Sequence, residues 1–262
     1  MISPAPNLPD AIPDELSGRV VIVTGAGRGM GRAVAVRLAK AGASVAVNDL
    51  EPAAADETAE LVISQGGTAI AVAGDISDSS FVESLVGDAV EEYGDVNILV
   101  NAAGILRRTA VFDMPETEWD FVMNVNLKGT FLCSKTVLIS MRRSGWGRIV
   151  NFSSTAGKTT STLGGAHYTA SKHAVLGLTR HMAMEEAAHG ITVNAVCPGL
   201  INTEMVQHEV DDERLKRYTD GFPIHRLGEP FEAAELVAFL ASDRAAYITG
   251  QGFDISGGDL MV

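Results

Sequence analysis

The sequence predicts an α/β protein: a single doubly wound Rossmann-type parallel sheet with helices on both faces. Three observations carry that expectation. Apolar β-branched runs alternate with helical patterns along nearly the whole chain, a glycine-rich turn follows the first run, and an acidic residue closes the second. The 262 residues suit one unit of this class, and 46% hydrophobic against 20% charged residues supplies enough apolar material for a sizeable core.

Residues 1–18 read as a flexible extension, because Pro4, Pro6, Pro9 and Pro13 prevent regular structure; the folded domain is expected over 19–262. Val20, Val21, Ile22 and Val23 form a β-branched run suited to a strand buried on both faces. A helical pattern follows over 30–41. A second strand over 43–48 ends at Asp49 and completes a βαβ unit. The alternation continues with a helix over 52–65, a strand over 68–72, a helix over 78–93 and a strand over 96–100. Then come a long helical region over 116–143, a strand over 148–152, a helix around Tyr168, a strand over 191–196, a helix over 231–242 and a last strand over 252–255. This order predicts right-handed crossovers and a ligand at the carboxyl ends of the strands.

Charge and cysteines narrow the classes. The formal charge of −13 and the absence of a Lys/Arg cluster argue against nucleic-acid binding. No apolar run approaches the roughly 18 residues that span a bilayer, and residues 1–13 lack the apolar core of a signal peptide. Cys133 and Cys197 each sit in an apolar stretch, so buried thiols in a reducing, cytoplasmic setting are expected rather than a disulfide. No His/Cys/carboxylate spacing suggests a metal site.

The turn after the first strand, Thr24 to Gly31, fails G-x-G-x-x-G in every register but matches Thr-Gly-x-x-x-Gly-x-Gly. Its glycines let the backbone approach a pyrophosphate, while the next helix presents free amides and its positive dipole end. Asp49 lies 20 residues after Gly29; there it either accepts hydrogen bonds from an adenosine ribose or caps the helix beginning near Pro52. A carboxylate there repels a 2′-phosphate, so NAD is expected in preference to NADP, with Arg28 the loop residue able to contact such a phosphate. Further on, Tyr168 and Lys172 stand one helical turn apart on one face. An ammonium so close favours the phenolate of a group whose ordinary pKa is about 10, which makes Tyr168 a candidate proton shuttle. The alternative is a surface tyrosine and a solvated lysine that merely share a face.

Together these motifs resemble the short-chain dehydrogenase/reductase family over residues 19–260. The resemblance implies a catalytic tetrad of Asn126, Ser154, Tyr168 and Lys172. It implies cofactor contacts from Gly25, Arg28, Gly29, Met30 and Gly31, from Asp49 and Leu50, from Asp75 and Ile76 around the adenine, and from Asn101, Ala102, Ala103 and Gly104. The nicotinamide side would add Pro198, Gly199, Ile201 and Thr203, with Tyr168 and Lys172. Ala102 replaces the second Asn of the family's Asn-Asn-Ala-Gly. The Ser–Tyr interval is one residue longer than in many members; Ser154 is chosen because it lies three before Gly157, leaving Ser153 and Thr155 structural.

In the implied chemistry Tyr168 is the general acid for a ketone that accepts hydride, and Ser154 positions the carbonyl oxygen. Lys172 lowers the Tyr168 pKa and holds the nicotinamide ribose, while Asn126 binds a water. The substrate is expected to be a small alcohol or ketone met by a lid over 200–227, and the resemblance also implies a homotetramer packed through the 116–143 region and the Tyr168 helix. Glu204, Glu209, Asp211, Asp212 and Glu213 argue against a strongly anionic substrate such as an acyl carrier protein, or else form a solvated outer face. The other readings are an NADPH-dependent 3-oxoacyl-type reductase and a dinucleotide-binding sensor without turnover. His167 is expected to point about 100° away from Tyr168.

Overall fold

Helix-length connections between β-branched runs leave those runs no way to pair except as parallel strands, since antiparallel neighbours need only a tight turn. A computed structural model of the chain, describing residues 14–209 and 212–262, has that arrangement. The strands are β1 Val20–Thr24, β2 Ser44–Asp49, β3 Thr68–Ala73, β4 Val96–Asn101, β5 Gly147–Phe152, β6 Ile191–Pro198 and β7 Gly252–Ile255. They form one sheet in the order β3-β2-β1-β4-β5-β6-β7, parallel throughout. The predicted fold class is therefore observed.

The helices are α1 Gly29–Lys40, α2 Pro52–Ser64, α3 Ser79–Tyr93, α4 Glu116–Met123, α5 Thr130–Ser144, α6 Ala166–Glu186, α7 Glu204–Glu209, α8 Asp212–Gly221 and α9 Pro230–Ala241. Alternating strand residues separate two cores. Val21 and Val23 pack with Val34 and Leu38 of α1 and Val237 of α9, whereas Val20 and Ile22 pack with Leu85 of α3 and Val137 and Met141 of α5. Local signals set the helix starts. Asp78 accepts from the Ser80 amide at α3, and Glu229 and Glu232 form a capping box around Pro230 at α9.

Two expectations change. The region 116–143 is not one α-helix: Asn124–Gly129 forms a π-helical segment between α4 and α5, a feature that leaves the apolar periodicity almost unaltered. Ordered structure also begins before Arg19. Residues 14–18 form a turn in which the Leu16 amide donates to the Ala41 carbonyl at 2.7 Å, and the Leu16 side chain is 2% exposed in the α1 core. Residues 1–13 and Asp211 lie outside the described residues. Among the described residues no helix is long and apolar enough to cross a membrane, and Cys133 and Cys197 are buried free thiols.

Leu16 anchors the entry to β1, so Leu16→Ala is expected to lower stability by about 2–4 kcal/mol in urea denaturation. A loss below about 0.5 kcal/mol, the usual scale of a surface change, would place Leu16 outside the core.

Candidate active site

Strand order reverses between β1 and β4, which opens a crevice at their carboxyl ends where Thr24 stands beside Asn101. The loops that leave these strands meet there. Gly25 has φ +62°, and a Cβ on it would lie 2.5 Å from the Ala103 Cα, so only glycine fits against the β4 loop. Thr24 Oγ1 accepts from the Ala103 amide at 3.3 Å. Gly29, Met30 and Gly31 then form the first turn of α1, whose leading amides have no partner inside the helix.

Asp49 ends β2 with both oxygens held by backbone, Oδ2 by the Gly27 amide at 2.9 Å and Oδ1 by the Glu51 amide at 3.1 Å. It therefore ties the glycine turn to the entrance of α2, and Leu50 beside it is exposed. Arg28 pairs with Glu51 at 2.8 Å. Asp75 is exposed and accepts from the Ser77 amide, whereas the Ile76 side chain is buried against Gly129 of the π-helical segment. Ala102, Ala103 and Gly104 line the β4 exit, half-buried. Asn101 faces inward: its amide donates to Asn151 Oδ1 at 2.8 Å and Ser134 Oγ at 3.1 Å, and Asn151 donates to Thr179 Oγ1 at 2.9 Å. Its side chain is thus spent on tying β4 to β5 and α5.

The tetrad residues come from three elements. Ser154 follows β5, and its Oγ accepts from the Ala156 amide at 3.1 Å, which opens a short 3₁₀ turn. Tyr168 and Lys172 lie in α6, with the Lys172 Nζ 5.7 Å from the Tyr168 ring centre. The Ser154 hydroxyl also donates to the Pro198 carbonyl at 3.4 Å, and Ser154 and Tyr168 line one cleft. Ser153 instead points inward and donates to the Lys172 carbonyl at 2.9 Å. Asn126, in the π-helical segment, accepts from the Ile105 amide at 2.8 Å and donates to the Ile105 carbonyl at 3.0 Å and Ser171 Oγ at 3.1 Å. Its side chain joins the β4 loop to α6. Met30, Ser154, Tyr168, Pro198, Gly199, Ile201 and Thr203 border one cleft of about 360 Å³.

The electrostatics differ from expectation. Burial raises the Tyr168 pKa, and the opposing influence is the Ser154 hydroxyl rather than Lys172. Lys172 is itself 5% exposed, its Nζ donates to the Phe152 carbonyl at 2.7 Å, and burial pushes its pKa down to about 8. The expected lowering of Tyr168 by Lys172 does not hold in this structure. Desolvation is the largest influence on the phenol.

Sequence reasoning missed the support under Tyr168. His167 is fully buried; its Nδ1 accepts from the Tyr168 amide at 2.9 Å, and its Nε2 meets Glu118 Oε1 of α4 at 3.0 Å. Accepting at Nδ1 leaves the proton on Nε2, so the ring donates to the carboxylate. Thr109 and then His167 hold the Glu118 carboxyl below its usual range. His167 does point away from the phenol, as expected, yet it caps the turn that carries it. No local signal marks Glu118, which is 49 residues distant.

A parallel sheet of this order, with a glycine turn at its switch point, defines a dinucleotide-binding α/β protein, and the cleft places titratable groups beside that turn. A family model described as "Enoyl-(Acyl carrier protein) reductase" matches residues 25–259. A 3-oxoacyl-(acyl-carrier-protein) reductase of Synechocystis is 40% identical over 248 residues, covering 94% of this chain and 98% of its own. An uncharacterized oxidoreductase of Thermotoga maritima is 41% identical over 253 residues, covering 94% and 98%. Two crystal structures of 3-oxoacyl-(acyl-carrier protein) reductases from Brucella melitensis each cover 100% of this chain and 99% of their own. One has TM-score 0.93 at 36% identity and the other, with bound NAD, 0.90 at 34%. The chain belongs to the short-chain dehydrogenase/reductase family and is an oxidoreductase.

Burial of Lys172 has a pH signature. The unfolded amine keeps its proton up to about 10.5 and the folded one releases it near 8, so between these values the unfolded state binds more protons and stability rises with pH. Relative to Lys172→Met, the wild-type chain is expected to gain stability between about pH 8 and pH 10.5, with a constant difference below that window. Urea denaturation at several pH values reads the trend; a flat difference throughout would mean the amine is not desolvated.

Proposed function

We propose that the chain interconverts a ketone and a secondary alcohol with a nicotinamide dinucleotide, Tyr168 acting as general acid and base. The observation that carries this reading is the Tyr168 phenol and the Ser154 hydroxyl at the wall of the same cleft as Pro198, Gly199, Ile201 and Thr203. Burial keeps the phenol protonated, as reduction requires, and Ser154 donates to the carbonyl oxygen that Tyr168 protonates. Lys172, behind the ring, would hold ribose hydroxyls. Asn126 fixes the β4 loop that borders them. The dinucleotide, when bound, supplies the hydride.

The residues present suit that group. Gly25, Arg28, Gly29, Met30 and Gly31 would cradle its pyrophosphate at the start of α1, where a Cβ on Gly25 would close the turn. Asp49 and Leu50 would meet the adenosine ribose, and Asp75 with the Ile76 backbone the adenine. Ala102, Ala103 and Gly104 would pack along the dinucleotide, while Pro198, Gly199, Ile201 and Thr203 border the nicotinamide. Asn101 supports this loop from beneath. NAD is favoured over NADP because a 2′-phosphate would face Asp49 and Glu51 together, and Arg28 is already paired with Glu51. Phe131 and Ile139 of α5 and Met184 of α6 are exposed, which supports a homotetramer packed through these helices; the buried thiols suit a cytoplasmic setting. The names of the relatives favour a second reading, a 3-oxoacyl substrate carried as a thioester. Turnover of a short acetoacetyl thioester far above that of simple ketones would select it.

Tyr168→Phe is expected to lower kcat by about 100- to 10,000-fold while NADH binding, read by fluorescence, persists. Retention of most activity would remove Tyr168 from the role. Asp49→Asn is expected to raise the NADPH-to-NADH ratio of kcat/KM by roughly tenfold, the scale of one like-charge contact. Wild-type preference for NADPH would reverse the cofactor assignment.

A further inference from the structure

The charge lining the cleft has no part in the reading above and constrains what enters. Among the described residues that border it there is no Lys, Arg or His, and the single carboxylate is Asp259. Nearby cations are engaged elsewhere: Arg28 with Glu51, Lys158 with Asp254, and Arg107 over the Phe121 ring. Lys172 stands behind Tyr168 with its amine on the Phe152 carbonyl.

Asp259 is held there by a built turn. After β7 the chain reverses through Gly257 and Gly258, both at positive φ, and the Asp259 amide donates to the Ser256 carbonyl at 3.1 Å. The Gly257 carbonyl accepts from the Ile224 amide at 2.9 Å, which pins the turn to the segment after α8. Asp259 stands exposed at the rim of the cleft, where partial desolvation raises its pKa. Opposite the catalytic hydroxyls, Thr159, Thr160, Ser161 and Thr162 add a polar wall without charge.

We propose that Asp259 sets the substrate class of this site, an uncharged ketone or secondary alcohol bearing a hydroxyl group that donates to its carboxylate, and excludes anionic oxo acids. This deepens the proposed activity and rests on it. A substrate carboxylate or phosphate in a cleft of about 360 Å³ would meet a like charge with no cation among the described lining residues to offset it, whereas a hydroxyl gains a charge-assisted hydrogen bond.

The test compares acetoacetate with the hydroxyketone that carries a hydroxymethyl group in place of its carboxylate. Each is measured as substrate with NADH and as ligand of the enzyme–NADH complex by quenching of NADH fluorescence. The hydroxyketone is expected to be favoured by roughly tenfold or more, the scale of one screened like-charge contact, with Asp259→Asn shrinking the ratio and Asp259→Lys reversing it. Equal or better use of acetoacetate by the wild type, an unchanged ratio in Asp259→Asn, or binding of neither ketone overturns the proposal. Absence of turnover with the binding preference intact counts against hydride transfer and leaves the charge assignment standing.

Discussion

The arrangement of the site depends on one buried amine. An ammonium taken out of water is costly unless its hydrogens find acceptors, and Lys172 meets that demand with the carbonyl of Phe152, the last residue of β5. This contact draws α6 down onto the carboxyl end of the sheet. Ser153, one residue further, returns a hydrogen bond to the Lys172 carbonyl, so strand end and helix are latched in both directions. Ser154 and Tyr168 flank the latch, which explains why two residues from separate elements line one cleft. The low amine pKa is the cost of the same burial.

The π-helical segment between α4 and α5 is the second constraint. One wide turn changes the angular phase of the residues around it and sets Asn126 toward the β4 loop and α6 together. Its last residue, Gly129, lies against Ile76, so the loop after β3 is packed on the same turn. The loop after β3 and the elements that carry Tyr168 and Lys172 are thus joined through a short stretch of backbone that is neither strand nor regular helix. His167 and Glu118 add a third link, from α4 to the first turn of α6.

Much of this was legible in the sequence because the signals are local. β-branched runs declare buried parallel strands, and glycines, caps and the Tyr168–Lys172 spacing declare turns and faces. Three kinds of feature were not. Leu16 is a lone apolar residue behind four prolines, and its burial follows from α1 and β2 folding over it, which no short window contains. The π turn alters hydrogen bonding without altering apolar spacing. The Tyr168 pKa followed the wrong influence because helical spacing sets the distance from Lys172 but says nothing of desolvation, which here prevails. Ser154, by contrast, was singled out from Ser153 in sequence by its register to Gly157, and in the structure the Ser153 hydroxyl is engaged with the Lys172 carbonyl while Ser154 accepts from the Ala156 amide.

Charge gives these parts a common logic. A chain of net charge −13 that binds an anionic dinucleotide cannot rely on its overall field, which is repulsive. Attraction must come from fixed dipoles at close range, and the glycine turn supplies them by letting the pyrophosphate reach the leading amides of α1. Carboxylates can then stand at both ends of the crevice without defeating binding: Asp49 and Glu51 where the adenosine ribose would lie, Asp259 where the substrate enters. On the proposed reading each tolerates hydroxyl groups and opposes additional anions, so that acidity, which reads in composition only as an argument against nucleic acid, would act at these positions as a filter on both ligands.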